Sequence, residues 1–314
     1  MSATVSAMLH IVNGDATLTR LAPTALPGDV LVWRDILVEG PVAPTIAVDE
    51  LAVRRAPWLA RRLGIDHRDY VASGRAQAEG LARAHAQDEI VLWFEQDLFC
   101  VANLCHLAAW LARARPRARV SLVFPVEPLG TTAPAALSAL FAARQPFTEL
   151  AIAQAATWWA AYAAPDPTRR EARTADPLGF LDTAWRLHLA RFPSTGTGLG
   201  SIEAAALATL DDAPRAVADA FREATQDERM RGHGMGDVQF TAYLRALADG
   251  DTPLVRMTEE GTVKLTDAGR AVRAGSWDRL DAQPLDWWLG GARLEGRRVP
   301  WRWDPATRRL VEAA

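Results

Sequence analysis

Four short apolar runs, each ended by a turn or an acid and separated by stretches of helical spacing, constrain the first half of this chain more than any other feature. The runs are 8–13, closing in Gly14-Asp15; 29–34, passing into Asp35; 89–94, passing into Glu95-Gln96-Asp97; and 119–124, running into Pro125. They are rich in β-branched residues and too short for helices, so they read as strands. Between them, 49–63, 75–86 and 98–115 carry helical spacing, the last with apolar residues at Leu104, Leu107, Ala108 and Leu111. Strands alternating with helices predict βα units around a mostly parallel sheet, here a Rossmann-like three-layer domain with four strands.

With 314 residues, the chain is about twice the usual domain length of roughly 150, so two domains are expected. The Ala-rich stretch 133–164, with its Trp158-Trp159 pair, reads as helical. Its end, the breaker cluster 164–168 (Ala-Pro-Asp-Pro-Thr), leads into a charged run at 169–173. We therefore expect an α/β domain over 1–165 and a second, mainly helical domain over 176–314. The second domain offers a helix from Asp176 through Trp185 and His188, a loop at 192–200, and a helix capped by Ser201 with Glu203 nearby. A helix at 237–248 follows, then a hairpin of 253–257 and 262–265 around Thr258-Glu259-Glu260-Gly261. Helix, helix, hairpin is the winged-helix order. The tail holds Trp287, Trp288, Trp301 and Trp303 with Gly290-Gly291 and Gly296, and predicts a closing hairpin of 291–294 with 299–303. Clustered tryptophans at such a place seal a core or an interface more often than they bind ligand.

No run approaches the ~18 apolar residues of a membrane span, and the first residues lack the pattern of a secretion signal, so a cytoplasmic, bacterial-looking protein is expected. Cys100 and Cys105 match neither a redox pair nor a zinc knuckle and read as buried thiols. The net charge of −3 gives no global attraction to nucleic acid or anionic membrane. Lys264 is the only lysine. Arginine richness beside abundant alanine therefore reads as coding bias and not as a phosphate signature.

Three segments, His10-Ile-Val-Asn-Gly-Asp15, Val32-Trp-Arg-Asp-Ile-Leu-Val-Glu-Gly-Pro-Val42 and Leu92-Trp-Phe-Glu-Gln-Asp-Leu98, resemble the DUF1835-type family of domains of unknown function. The resemblance covers 8–130, its second segment is the most specific, and it implies a domain assignment without a mechanism. Leu265-Thr-Asp-Ala-Gly269 looks like the wing-to-helix passage of winged-helix proteins.

In open α/β sheets ligands sit outside the carboxyl ends of the strands. Acids gather there: Asp15 after the first strand, Asp35 and Glu39 after the second, Glu95 and Asp97 after the third. Hard oxygens from separate loops are what Mg²⁺ or Mn²⁺ needs, which makes Asp15, Asp35, Glu39 and Asp97 the candidate metal set. Catalytic roles would fall to His10, Asp15, Asp35 and Glu95. The competing reading is that these acids cap helices and that His10 is a hydrogen-bonded core residue. Asn13-Gly14-Asp15 lacks dinucleotide and P-loop spacing. A Gly turn with Thr17 or Thr19 at a helix start still suggests an anion cradle, with Gly14, Thr17, Arg34 and Arg61 as ligand-binding candidates. The arginines of 54–83, among them Arg54, Arg55, Arg61 and Arg62, read either as phosphate or RNA contacts or as a solvated helical face. His67 and His106 have no metal-ligand partner at i+4. Serine or cysteine nucleophiles cannot be built from local spacing, since Ser121 lacks a nucleophile elbow and neither cysteine sits at a glycine turn.

These residues predict binding or hydrolysis of a small phosphorylated or nucleotide ligand with a divalent metal. The competing class is a winged-helix DNA regulator. Residues 227–275 hold seven basic residues against eight acids, the wing tip is Glu259-Glu260, and only Arg245 and Gln239 offer themselves as base readers. That balance disfavours nucleic acid and favours packing, self-association or protein docking through the second domain. A noncatalytic adaptor is the third reading.

Overall fold

The apolar runs form β1 (Met8–Asn13), β2 (Asp29–Trp33), β3 (Glu89–Trp93) and β4 (Arg119–Val123) in the computed structural model of the chain, which describes residues 7–45, 47–169 and 178–312. Helices α1 (Asp15–Leu21), α2 (Val48–Leu63), α3 (His67–Ala82) and α4 (Leu98–Ala114) fill the connections. β1 pairs in parallel with β2 and β3, and β3 with β4. A fifth strand, β5 (Gln145–Pro146), joins β4 antiparallel and completes the order β2-β1-β3-β4-β5.

That fifth strand breaks the Ala-rich stretch into α5 (Pro134–Ala142) and α6 (Glu149–Tyr162), where the sequence alone suggests continuous helix. Proline lacks an amide hydrogen and disfavours helical backbone at the residue before it, whereas a sheet edge tolerates it. The Thr148 hydroxyl then accepts from Ala151 N at 3.2 Å and restarts the helix.

Period-2 alternation splits the strands' side chains between two buried faces. Met8, Val12, Val32, Val91, Trp93 and Val123 pack with Leu21 of α1 and Leu137 of α5 on one side. Leu31 on the other side meets α3 so closely that a Cβ on Gly80 would lie 2.5 Å from it. Helices thus cover both faces.

The connection from β2 to α2 is unusual for a loop, because Asp35, Leu37, Val38, Glu39 and Val42 are all buried. Arg55 of α2 holds it. This fully buried side chain donates to Ile36 O (2.9 Å), Pro41 O (3.2 Å) and Tyr70 Oη (2.9 Å), and pairs with Asp35 at 3.3 Å. Arg55 is therefore no part of a solvated face.

The chain divides into two compact units, Met1–Asp182 and Thr183–Ala314. The division falls beyond the 165–176 stretch at which a linker was expected, because Trp158 Nε1 donates to Leu181 O at 3.0 Å and ties that segment back to α6. Residues 170–173 of the charged run, and Asp176, lie outside the described residues. In the second unit come α7 (Leu181–Ala190), which opens across the division, α8 (Ser201–Ala208), β6 (Arg215–Ala216), α9 (Val217–Ala224) and α10 (Asp237–Ala248). Then follow β7 (Val255–Met257), β8 (Thr262–Leu265), α11 (Asp267–Arg273) and α12 (Arg279–Ala282). β8 lies between β6 and β7, antiparallel to both. The cap of α8 is Gly200 and not Ser201: Glu203 Oε2 accepts from Gly200 N at 3.0 Å, and a Cβ on residue 200 would lie 2.3 Å from Arg191 O.

The tail forms two hairpins in place of the single one expected. β9 (Leu285–Leu289) pairs with β10 (Ala292–Gly296), and β11 (Trp301–Asp304) with β12 (Arg309–Glu312). The two-residue Gly290-Gly291 turn, with Gly290 at φ +60°, suits a tight hairpin. Asp304 closes the second turn by accepting from Ala306 N and Thr307 Oγ1. Among the described residues no helix is long and apolar enough to cross a membrane.

Candidate ligand site at the strand ends

The order β2-β1-β3-β4-β5 places a topological switch between β1 and β3, because the chain leaves β1 toward one side and continues from β3 toward the other. A crevice outside the carboxyl ends of these two strands is where doubly wound sheets take ligands. Gly14, at φ +84°, turns the chain sharply after β1 and donates its amide to Trp33 O at 2.9 Å. After β3, Glu95 Oε1 accepts from Leu129 N (2.9 Å), and Asp97 caps α4 by accepting from Cys100 N (2.7 Å).

One ligand atom each of Glu95, Asp97 and Cys100 lies within 4.8 Å of the others, the only such His, Cys, Asp or Glu triad among the described residues. Burial pushes the Glu95 and Asp97 carboxyls above their usual range, and the charge of Asp97 adds to the effect on Glu95. Burial, then the two carboxylates, raise the Cys100 thiol as well. It is thus a protonated sulfur at neutral pH and no activated nucleophile. Asn13 Nδ2 donates to its Sγ at 3.0 Å, while Asn103 Nδ2 donates to Asn13 Oδ1 and to Asp35 O, each at 3.0 Å. Asn103 Oδ1 is buried without a hydrogen-bond partner among the described residues, the situation that a bound water or ligand commonly resolves.

Most residues singled out from sequence are placed elsewhere. The metal set Asp15, Asp35, Glu39 and Asp97 is not assembled; only Asp97 belongs to the cluster, with Glu95 and Cys100. Asp15 is exposed and held bidentately by Arg34, Nε to Oδ2 at 2.8 Å and Nη2 to Oδ1 at 2.6 Å, which lowers its pKa. Asp35 Oδ1 accepts from Tyr70 Oη (2.6 Å) and Ile36 N (2.8 Å) inside the Arg55 network. Glu39 is fully buried in the same connection.

His10 is buried within the sheet, with Nδ1 accepting from Trp93 Nε1 (3.0 Å) and Nε2 donating to Pro27 O (3.0 Å). Both nitrogens are used, so it is a core histidine and not a base at the strand end. Thr17 is buried and returns its hydroxyl to Asn13 O at 3.4 Å, and α1 spans only 7 residues, so no anion cradle forms there. Arg61 is exposed in the last turn of α2. In the second unit Gln239 is buried and caps α10 through Gly236 N (3.1 Å), which removes it as a base reader.

Two participants escaped the sequence reading, although each left a signal. Cys100 stands three residues after the acid that caps its helix, which turns both toward the helix start. Asn103 is a lone amide within a run of buried positions on α4.

No protein-family model and no curated protein matches this chain. The site is therefore read from its own chemistry. Two carboxylates whose charges are penalised by burial, beside a neutral thiol, make a cluster that gains from a cation and repels an isolated anion.

Proposed function

We propose that the first unit binds, and with a divalent cation processes, a small phosphorylated or nucleotide ligand in the crevice between the ends of β1 and β3. The Glu95, Asp97 and Cys100 cluster carries this reading. Mg²⁺ or Mn²⁺ binds through one or two carboxylates and completes its shell with water and phosphate oxygens, which fits the carboxylate oxygens of Glu95 and Asp97. Cys100 would remain a neutral neighbour. Arg34, next to the Gly14 turn and bonded only at an exposed site, supplies a guanidinium suited to phosphate oxygens.

The sheet order and the helices on both faces support a Rossmann-like reading of the first unit, and the DUF1835-type resemblance is kept with it. The order α8, β6, α9, α10, β7, β8, with β8 in the middle of its sheet, supports a winged-helix-like reading of the second. Glu259 and Glu260 between β7 and β8, with Gln239 buried, weigh against DNA and favour docking to protein.

Glu95→Gln and Asp97→Asn test the proposal, because each amide can keep the acceptor role of the acid it replaces. Both folded carboxyls titrate above their ordinary values, so their charged forms cost stability as pH rises through that window, and the amides remove the cost. We expect both variants to melt no lower than the parent at pH 7.5. Mn²⁺ with a nucleoside triphosphate or a sugar phosphate should raise the parent's Tm by several degrees by mass action, and the double variant should lose that shift. A shift that survives in the double variant, or none with any of these ligands, overturns the reading.

A further inference from the structure

The second unit contains a serine and a histidine that no spacing rule joins. Ser201 Oγ lies 3.3 Å from His233 Nε2, and His233 Nδ1 lies 3.2 Å from Met230 O. A carbonyl can only accept, so Nδ1 carries the ring proton and Nε2 presents its lone pair to the serine hydroxyl. Nucleophile, base and an orienting group behind the base are the three parts of an activated serine, and such hydrogen bonds are often loose before substrate binds.

The surroundings suit these roles. Ser201 is the first residue of α8, and its backbone is fixed because Gly200 is locked by Glu203, which itself pairs with the buried Arg279 at 3.4 Å. Gly200 has no side chain with which to cap the helix, so the first-turn amides of α8, where Ser201 stands, carry no side-chain cap. His233 is 3% exposed. Burial and then Arg191 depress its pKa to about 4, which keeps it an unprotonated base, while the carbonyls of Met230, Arg231 and Leu187 favour the imidazolium once a proton arrives.

Both side chains line a cavity of about 460 Å³, shared with Leu187, Trp303, Arg186 and Arg308, a size ordinary for small-molecule sites. Its lining mixes apolar side chains with hydroxyls and with three guanidinium groups, those of Arg186, Arg229 and Arg308, against one carboxylate, Glu228.

We propose that the second unit is an acyl-transfer site in which Ser201 is the nucleophile and His233 the general base, acting on a small ester or thioester that carries an anionic group. Ser201 Oγ bonds to the acyl carbon while its proton passes to His233 Nε2. The bond to the leaving alkoxide or thiolate then breaks, and that group takes the proton from Nε2. Water, deprotonated by the same nitrogen, cleaves the acyl-serine, which releases the acid and restores the hydroxyl. The inference is independent of the crevice in the first unit.

A fluorophosphonate probe tests it on the full chain, since it reports serine activation directly: Oγ–P forms, P–F breaks, fluoride leaves and the proton goes to His233. We expect one equivalent of label, mapped to Ser201 by peptide mass. Ser201→Ala should abolish it, and His233→Gln should slow it on the order of 100-fold. Glutaric acid mono-4-nitrophenyl ester should be cleaved faster than the neutral 4-nitrophenyl butyrate. Absence of label at Ser201 in a cooperatively melting parent, or equal labelling of Ser201→Ala, overturns the proposal even if His233→Gln fails to fold. Equal labelling rates in a folded His233→Gln overturn the role of the histidine, and equal cleavage of the two esters overturns the anionic substrate.

Discussion

Arg55→Ala should cost about 3–5 kcal/mol of unfolding free energy, the range for removing one partner of a buried ion pair. Arg55 has no exposed surface and serves four groups at once: Asp35, Tyr70 Oη, Ile36 O and Pro41 O. Three of these belong to the buried connection between β2 and α2, which has little regular structure to satisfy its own backbone. Deleting the guanidinium strands two carbonyls and leaves the Asp35 charge with only hydroxyl and amide donors, Tyr70 Oη at 2.6 Å and Ile36 N at 2.8 Å. Tyr70 cannot share the charge, because burial drives its pKa far above the usual phenol range and keeps it a protonated donor.

The second half of the expectation separates a lost charge pair from lost packing. Asp35→Asn combined with Arg55→Ala should be less destabilised than the two single changes added together, because no uncompensated charge then remains. Urea unfolding of the four proteins gives the coupling. A loss below about 1 kcal/mol in Arg55→Ala, within the range of surface pairs, would mean that the connection is held by its apolar residues Leu37, Val38 and Val42 instead.

The strands and principal helices were legible because periodicity reports the burial of faces. β1 to β4 fall within a residue of the apolar runs, and α4 ends one residue short of the stretch predicted for it. Alternation even contained the correct place for His10, which shares its parity with Met8 and Val12 and so faces the same core. Of the two roles its sequence allows, base at the strand end or hydrogen-bonded core residue, the structure shows the second. Partner identity, by contrast, is not periodic. Arg55 reaches an acid 20 positions earlier, and Ser201 meets a histidine 32 positions later. The candidate metal set failed for the same reason: four acids at strand ends share a neighbourhood in the sequence diagram, but Arg34, Arg55 and Tyr70 claim two of them. β5 was invisible because two residues, one of them proline, carry no strand pattern.

Acid should weaken the first unit in a window that belongs mainly to Glu89. This residue opens β3, is 2% exposed, and accepts from Arg144 Nε (2.7 Å), Arg144 Nη2 (3.0 Å) and Ser121 Oγ (2.7 Å). The Arg144 hydrogen bonds are the main cause that lowers its pKa from 4.5 to about 2. A depressed carboxyl contributes stability that is complete above its unfolded value and fades as pH falls through its folded value. The contribution is therefore full above pH 4.5 and disappears toward pH 2. At 1.36 kcal/mol for each pKa unit it amounts to about 3 kcal/mol, with little from the exposed Arg119. Glu89→Gln should be less stable than the parent by about that amount at pH 7, and the gap should narrow from pH 4.5 downward and close toward pH 2. A gap that stays constant across this range would assign the loss to packing. The effect should also be local. Arg144 lies over the Phe141 ring at 4.1 Å, and that ring stacks on Trp93, so Glu89 fixes the point where α5 stops and β5 begins. Without the carboxylate, its hold on Arg144 no longer opposes the alanine-rich tendency to continue as helix, and amides near Gln145 should lose hydrogen-exchange protection before those of β1 or β3.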